Sequence, residues 1–152
     1  NAVNGVINIT TKQARDTQDN IASVVYGNEE LGTASVRHGD AFGDDGFYRV
    51  YAKTFKRDSS HRPSGGDTYD EWDGVRGGFR ADWNDSFTLQ GDAYRVTTQQ
   101  LKPHYSLIAP FAPIENQTII YDGVNVLGRW TNKYNDGSQY GLQLHNQPPN
   151  TA

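Results

Sequence analysis

Residues 75–83 hold the feature that most restricts what this chain can become. Val75, Gly77, Phe79, Ala81 and Trp83 alternate with Arg76, Gly78, Arg80 and Asp82. A period of two places the two sets on opposite faces of a strand, so one face is apolar and the other charged. Charge of that density is costly to bury unless it is paired or wet. The apolar face carries small residues in mid-strand and an aromatic ring at its end. An apolar outside, a polar inside and rings at the interfaces are the pattern of a strand in a membrane β-barrel.

The pattern recurs along the chain. Seven strands are expected, at 21–27, 32–38, 47–57, 75–83, 87–95, 124–133 and 139–145, after a short one at 6–10 and a polar connector at 12–20. In the longest, Tyr48, Val50, Ala52 and Thr54 oppose Arg49, Tyr51, Lys53 and Arg57. Turns are expected at 28–30, 39–46, 84–86 and 135–137, where Gly, Asn and Asp gather. Longer connections are expected at 58–73 and 97–123, the second holding Pro103, Pro110 and Pro113. From the turn at 39–46 onward, short and long connections alternate. Phe42, Tyr48, Trp83, Phe87, Trp130 and Tyr140 lie beside the short ones. Outer-membrane barrels sort their loops in this way, with short periplasmic turns and long extracellular loops. A soluble β-sandwich also alternates, but has no reason to gather rings beside one set of turns.

Composition narrows the alternatives. The chain has 152 residues, a usual size for one domain, and no cysteine, which excludes disulfides and thiolate metal sites. Its net charge of −4 is mixed along the sequence, so no nucleic-acid partner is expected. No run approaches the ~18 apolar residues of a spanning helix, which leaves barrel strands untouched as a possibility. There is no methionine, and the chain opens on Asn1 close to an apolar strand, so it reads as the continuation of a longer polypeptide.

The opening residues carry a resemblance. NAVNGVINITTK, residues 1–12, resembles the end of the plug domain in TonB-dependent outer-membrane receptors, which reads G-x-N-A-x-x-G-V-I-N-I-x-T-K before the first barrel strand. Asn1, Ala2, Gly5, Val6, Ile7, Asn8, Ile9, Thr11 and Lys12 stand at the matching places. The hairpins that follow, among them GGFRADW and SFTLQGDAYR, keep the expected order up to about Leu144. After it, HNQPPNTA departs from the continuation of a strand.

The resemblance implies an all-β fold, an antiparallel meander of about seven strands forming part of a 22-stranded transmembrane β-barrel. Residues 1–14 would end the plug, 15–146 would be the first barrel strands, and 147–152 an irregular tail. The implied function is that of a fragment of a receptor in the bacterial outer membrane, taking up a scarce ligand such as a ferric siderophore. Its partners would be TonB, reached through a missing N-terminal part, and outer-membrane lipid. Arg49, Lys53, Arg76, Arg80, Asp82 and Arg129 would face the plug in the lumen, and His61, Arg62, Asp67, Tyr69, His104 and Tyr105 would meet ligand on the outer loops. The alternative is a soluble β-sandwich that binds a ligand. No cofactor, metal site or enzymatic activity is expected. Asp67, Asp70, Glu71 and Asp73 miss the calcium-loop spacing, and no serine, histidine and acid form a nucleophile arrangement.

Overall fold

The computed structural model describes residues 11–61, 63, 65–66, 68–105, 107–109, 113–133 and 138–146. A 3-10 turn, Ala14–Thr17, precedes seven strands. These are β1 (Asp19–Val25), β2 (Gly32–Phe42), β3 (Gly46–Arg57), β4 (Trp72–Trp83), β5 (Phe87–Pro103), β6 (Ile114–Lys133) and β7 (Gln139–Asn146). They form one antiparallel sheet in the order β1 to β7, each strand paired with its sequence neighbour. Among the described residues there is no α-helix and no helix long and apolar enough to cross a membrane.

Directly opposed residues share a face, so the register assembles the two faces row by row. Trp83, Phe87, Trp130 and Leu142 form one row. Ala81, Leu89, Gly128 and Leu144 form the next. Above them lie Val50, Phe79, Gly91 and Val126, then Val36, Ala52, Gly77, Ala93 and Val124. The band ends where Val75 is flanked by Arg95 and Asp122, and where Lys56 opposes Asp73. Its height on β4 is roughly nine residues, within the roughly 9–11 that a tilted strand needs to cross a bilayer.

This band is bare. Trp83 is 57% exposed, Leu142 58% and Leu144 68%. The whole chain, at 16.9 kDa, exposes 11810 Å². A compact monomer of that mass exposes roughly 7,700 Å². The sheet therefore has no second layer among the described residues, and its only buried non-glycine residues there are Ala14 and Thr17.

Asn20 and His38 stand side by side on the apolar face and satisfy each other. The Nδ1 of His38 lies 2.6 Å from Asn20 Oδ1 and its Nε2 lies 3.1 Å from the Tyr48 hydroxyl. The amide oxygen can only accept, so Nδ1–H is the donor in the first contact.

The connections sort by end. In this meander the links β2–β3, β4–β5 and β6–β7 fall at one end of the sheet, and β1–β2, β3–β4 and β5–β6 at the other. Asn84 and Asp85 both have positive φ, at 51° and 48°, and Ser86 N–H donates to the Trp83 carbonyl at 3.1 Å. Two successive left-handed residues give a turn whose twist matches the strands it joins.

Strand ends differ from the sequence expectation, most at β2, β5 and β6. Strand β2 continues through 39–42, where a turn was expected, because Asp40 and Ala41 keep the register opposite Tyr48 and Phe47. Strands β5 and β6 run on to Pro103 and Ile114, taking up much of the expected connection at 97–123. Gln99, Gln100, Asn116 and Gln117 lie in that extension, and its apolar Ile119, Ile120 and Tyr121 are consecutive, so there is no alternation to read. Pro103 ends its strand, where a missing N–H is tolerated.

Candidate functional site: the polar face and its connector

The second face of the sheet carries Arg37, Arg49, Tyr51, Lys53, Arg76, Arg80, Asp82, Thr88, Asp92 and Arg129. The register sets Arg49 opposite Arg80, Lys53 opposite Arg76, and Asp82, Thr88 and Arg129 in one row. All six residues expected in the lumen therefore share one face.

The connector is seated on this face, and Asp82 is its anchor. The Asp82 carboxylate accepts from Ala14 N–H at 2.6 Å, Arg80 Nε at 2.8 Å and Thr88 Oγ1 at 2.7 Å. Side-chain atoms of Arg80 and Asp82 are almost fully covered, at 13% and 15% exposure. A carboxylate with three donors around it is held far more firmly than an exposed ion pair. Arg80 also donates to Thr11 Oγ1 at 2.8 Å. Arg49 donates to the Lys12 carbonyl at 3.0 Å and Gln18 Nε2 to the Ala14 carbonyl at 2.7 Å. Arg15 pairs with Asp85 in the turn below at 3.0 Å.

Shape reinforces the seat. Gly39 lies under the 3-10 turn, and a Cβ there would run into the Thr17 carbonyl oxygen. Ala14 is completely buried and Thr17 nearly so, its hydroxyl donating to the Ala14 carbonyl at 3.0 Å. The chain's tightest packing is thus between connector and sheet.

Not every expected lumen residue touches the connector. Arg76 pairs with Asp92 at 2.6 Å, and Asp92 also accepts from Asn125. Arg129 donates to Gln143 Oε1 at 2.9 Å. Sequence reasoning missed Arg37, Thr88, Asp92 and the Ala14 amide. Thr88 and Asp92 could have been found by continuing the parity of 87–95 across the turn from Asp82. The amide had no signal.

The expected loop residues lie at the other end of the sheet, on two different connections. His61 and Tyr69 are on 58–71, and His104 and Tyr105 on 104–113. Arg62 and Asp67 lie outside the described residues, as do residues 1–10 of the plug-like motif and the tail at 147–152. Tyr105 is 82% exposed, while His104 N–H closes its loop on the Pro113 carbonyl at 2.8 Å. On the first loop, Asp70 accepts from Ser60 N–H at 2.7 Å, from Ser60 Oγ at 2.9 Å and from Thr68 Oγ1. The Thr68 hydroxyl, followed by the Ser60 amide, holds the Asp70 carboxyl below the usual carboxylate range. No metal-binding group of His, Asp and Glu occurs among the described residues.

No family, no curated protein and no solved structure matches this chain.

Proposed function

We propose that this chain is a piece of a TonB-dependent outer-membrane receptor, joining the end of its plug to the first seven of 22 barrel strands. The observation that carries the reading is the two-faced open sheet. Its apolar, ring-edged face is bare over the height of a bilayer, while its polar face is packed against the segment that follows the plug-like motif. Lipid would cover the first face, and plug and water the second. The short turns would then be periplasmic and the long connections extracellular.

In this reading Asp82 and Arg80 fasten the end of the plug to the barrel wall. Plug rearrangement driven by TonB would then act on residues before Thr11, while Ala14–Thr17 stays with the wall. The outer loops, including His61, Tyr69, His104 and Tyr105, would meet the scarce ligand, a ferric siderophore or similar chelate. The soluble β-sandwich alternative needs a second sheet over the apolar face. All seven strands belong to one sheet, so nothing among the described residues favours it.

Sequencing the source DNA on both sides of this segment tests the proposal. The receptor reading predicts an upstream plug behind a signal peptide and a downstream run of alternating strands. A start codon beside Asn1 together with a stop codon after Ala152 would overturn it.

A further inference from the structure

The polar face has an imbalance that the connector does not explain. Where β2, β3 and β4 run side by side, Arg37, Arg49, Lys53 and Arg76 lie together around a shallow cavity of about 490 Å³, with Ser35 and Tyr51 between them. The cavity has no carboxylate in its lining. Lys53 sits directly opposite Arg76 in the register, and Arg37 occupies the diagonal position between Arg49 and Lys53. Like charges in direct opposition destabilise a sheet.

Compensation reaches only part of this group. Arg76 has Asp92, and Arg49 is held by the Lys12 carbonyl and the Thr17 hydroxyl. Among the described residues, no ion pair or hydrogen bond from the Lys53 or Arg37 side chain accompanies these. Among the described residues, Arg37 Nε is buried with no hydrogen-bond partner. An unmatched buried N–H of a cation costs free energy in the empty state and is matched by any oxyanion that reaches it.

We propose that this patch binds a small polyanion bearing two or more carboxylate or phosphate groups, with Arg37 and Lys53 as its principal contacts. Arg37 offers a planar fork suited to two oxygens of one group, and Lys53 a mobile point charge for a second. Arg49 and Arg76 add to the field from either side. The cavity lies within the roughly 300–1,000 Å³ range of small-ligand sites. The inference concerns this face alone and does not depend on lipid covering the other.

Titration calorimetry on the full chain refolded in non-ionic detergent at low salt tests it, with citrate and inorganic pyrophosphate as probes. At least one probe is expected to bind saturably at one site per chain, and to weaken as salt is raised. Arg37→Gln with Lys53→Gln is expected to reduce affinity at least tenfold. Lys56→Gln, which removes one positive charge on the opposite face of β3, is expected to leave it within twofold. Absence of saturable binding to the folded wild type, or equal losses in the two variants, overturns the proposal. A second reading guards against simple misfolding. Without ligand, Lys53→Gln relieves the repulsion with Arg76 and is expected to raise the denaturant midpoint; a lower midpoint would mean that Lys53 is a structural cation, and would also overturn the proposal. Neither arm uses lipid insertion, so failure here and failure of the receptor reading are separately visible.

Discussion

Asp82 ties the connector to two strands of the sheet. Its carboxylate meets a main-chain amide from the connector, a guanidinium on its own strand and a hydroxyl on the next. Asp82→Ala leaves all three donors without their acceptor, the Arg80 guanidinium among them. A loss of about 1.5–3 kcal/mol is expected, the range for hydrogen bonds to charged groups. Denaturant unfolding of the refolded chain measures it, and faster tryptic cleavage after Arg15 would localise the effect to the connector. Glycines separate in the same way. Gly39→Ala drives a methyl group into the Thr17 carbonyl and is expected to cost about 1–3 kcal/mol, as overpacking does. Gly77→Ala meets only the Tyr51 carbonyl at 3.5 Å, an ordinary contact, and is expected to be neutral or to gain up to about 1 kcal/mol. Equal costs for the two, measured by the same unfolding experiment, would contradict the seat under the 3-10 turn.

At the scale of elements, the hairpin β4–β5 was legible because alternation on both strands and an Asn-Asp-Ser turn agree. Its two left-handed residues make a specific demand: Asn84→Val places a β-branched side chain at φ 51° and is expected to cost about 1–2 kcal/mol in the same assay. The extension of β5 and β6 was not legible, since Ile119, Ile120 and Tyr121 run consecutively and the polar residues around them give no period to detect. That Arg49, Lys53, Arg76, Arg80, Asp82 and Arg129 share one face was legible from parity alone, but their partners were not. Which donor meets Asp82 depends on a connector whose path no alternation encodes. The 58–71 connection adds a pH dependence that sequence reading did not reach. The Asp70 carboxyl titrates below its unfolded value, so its contribution to loop order is present above the ordinary carboxylate range and is lost as pH falls through the lowered folded value. Hydrogen-exchange protection of the Ser60 and Thr68 amides is expected to fall across that acid window. In Asp70→Asn it should be lower at neutral pH and flat across the same window.

For the whole molecule, the governing fact is that the sheet does not bury its own apolar face. At roughly 25 cal/mol per Å², a contiguous band of this kind is a strong drive for a covering layer, and monomeric soluble proteins rarely leave one bare. Strands β1 and β7 also end the described sheet as open edges, which favour further pairing. In the proposed barrel, lipid would cover the face and further strands would pair with the edges. The three tryptophans make the central claim directly measurable. Trp83 and Trp130 stand on the apolar face. Trp72 stands on the polar face at the other end, its ring 4.8 Å from that of Phe55 and 5.1 Å from the Arg57 guanidinium carbon. The chain refolded into vesicles whose acyl chains carry bromine, in three variants that each retain one tryptophan, provides the test. Strong quenching of Trp83 and Trp130 with little quenching of Trp72 is the predicted result. A folded sheet in which Trp83 and Trp130 escape the bromines, or in which all three are quenched alike, would contradict the assignment of the apolar face to lipid.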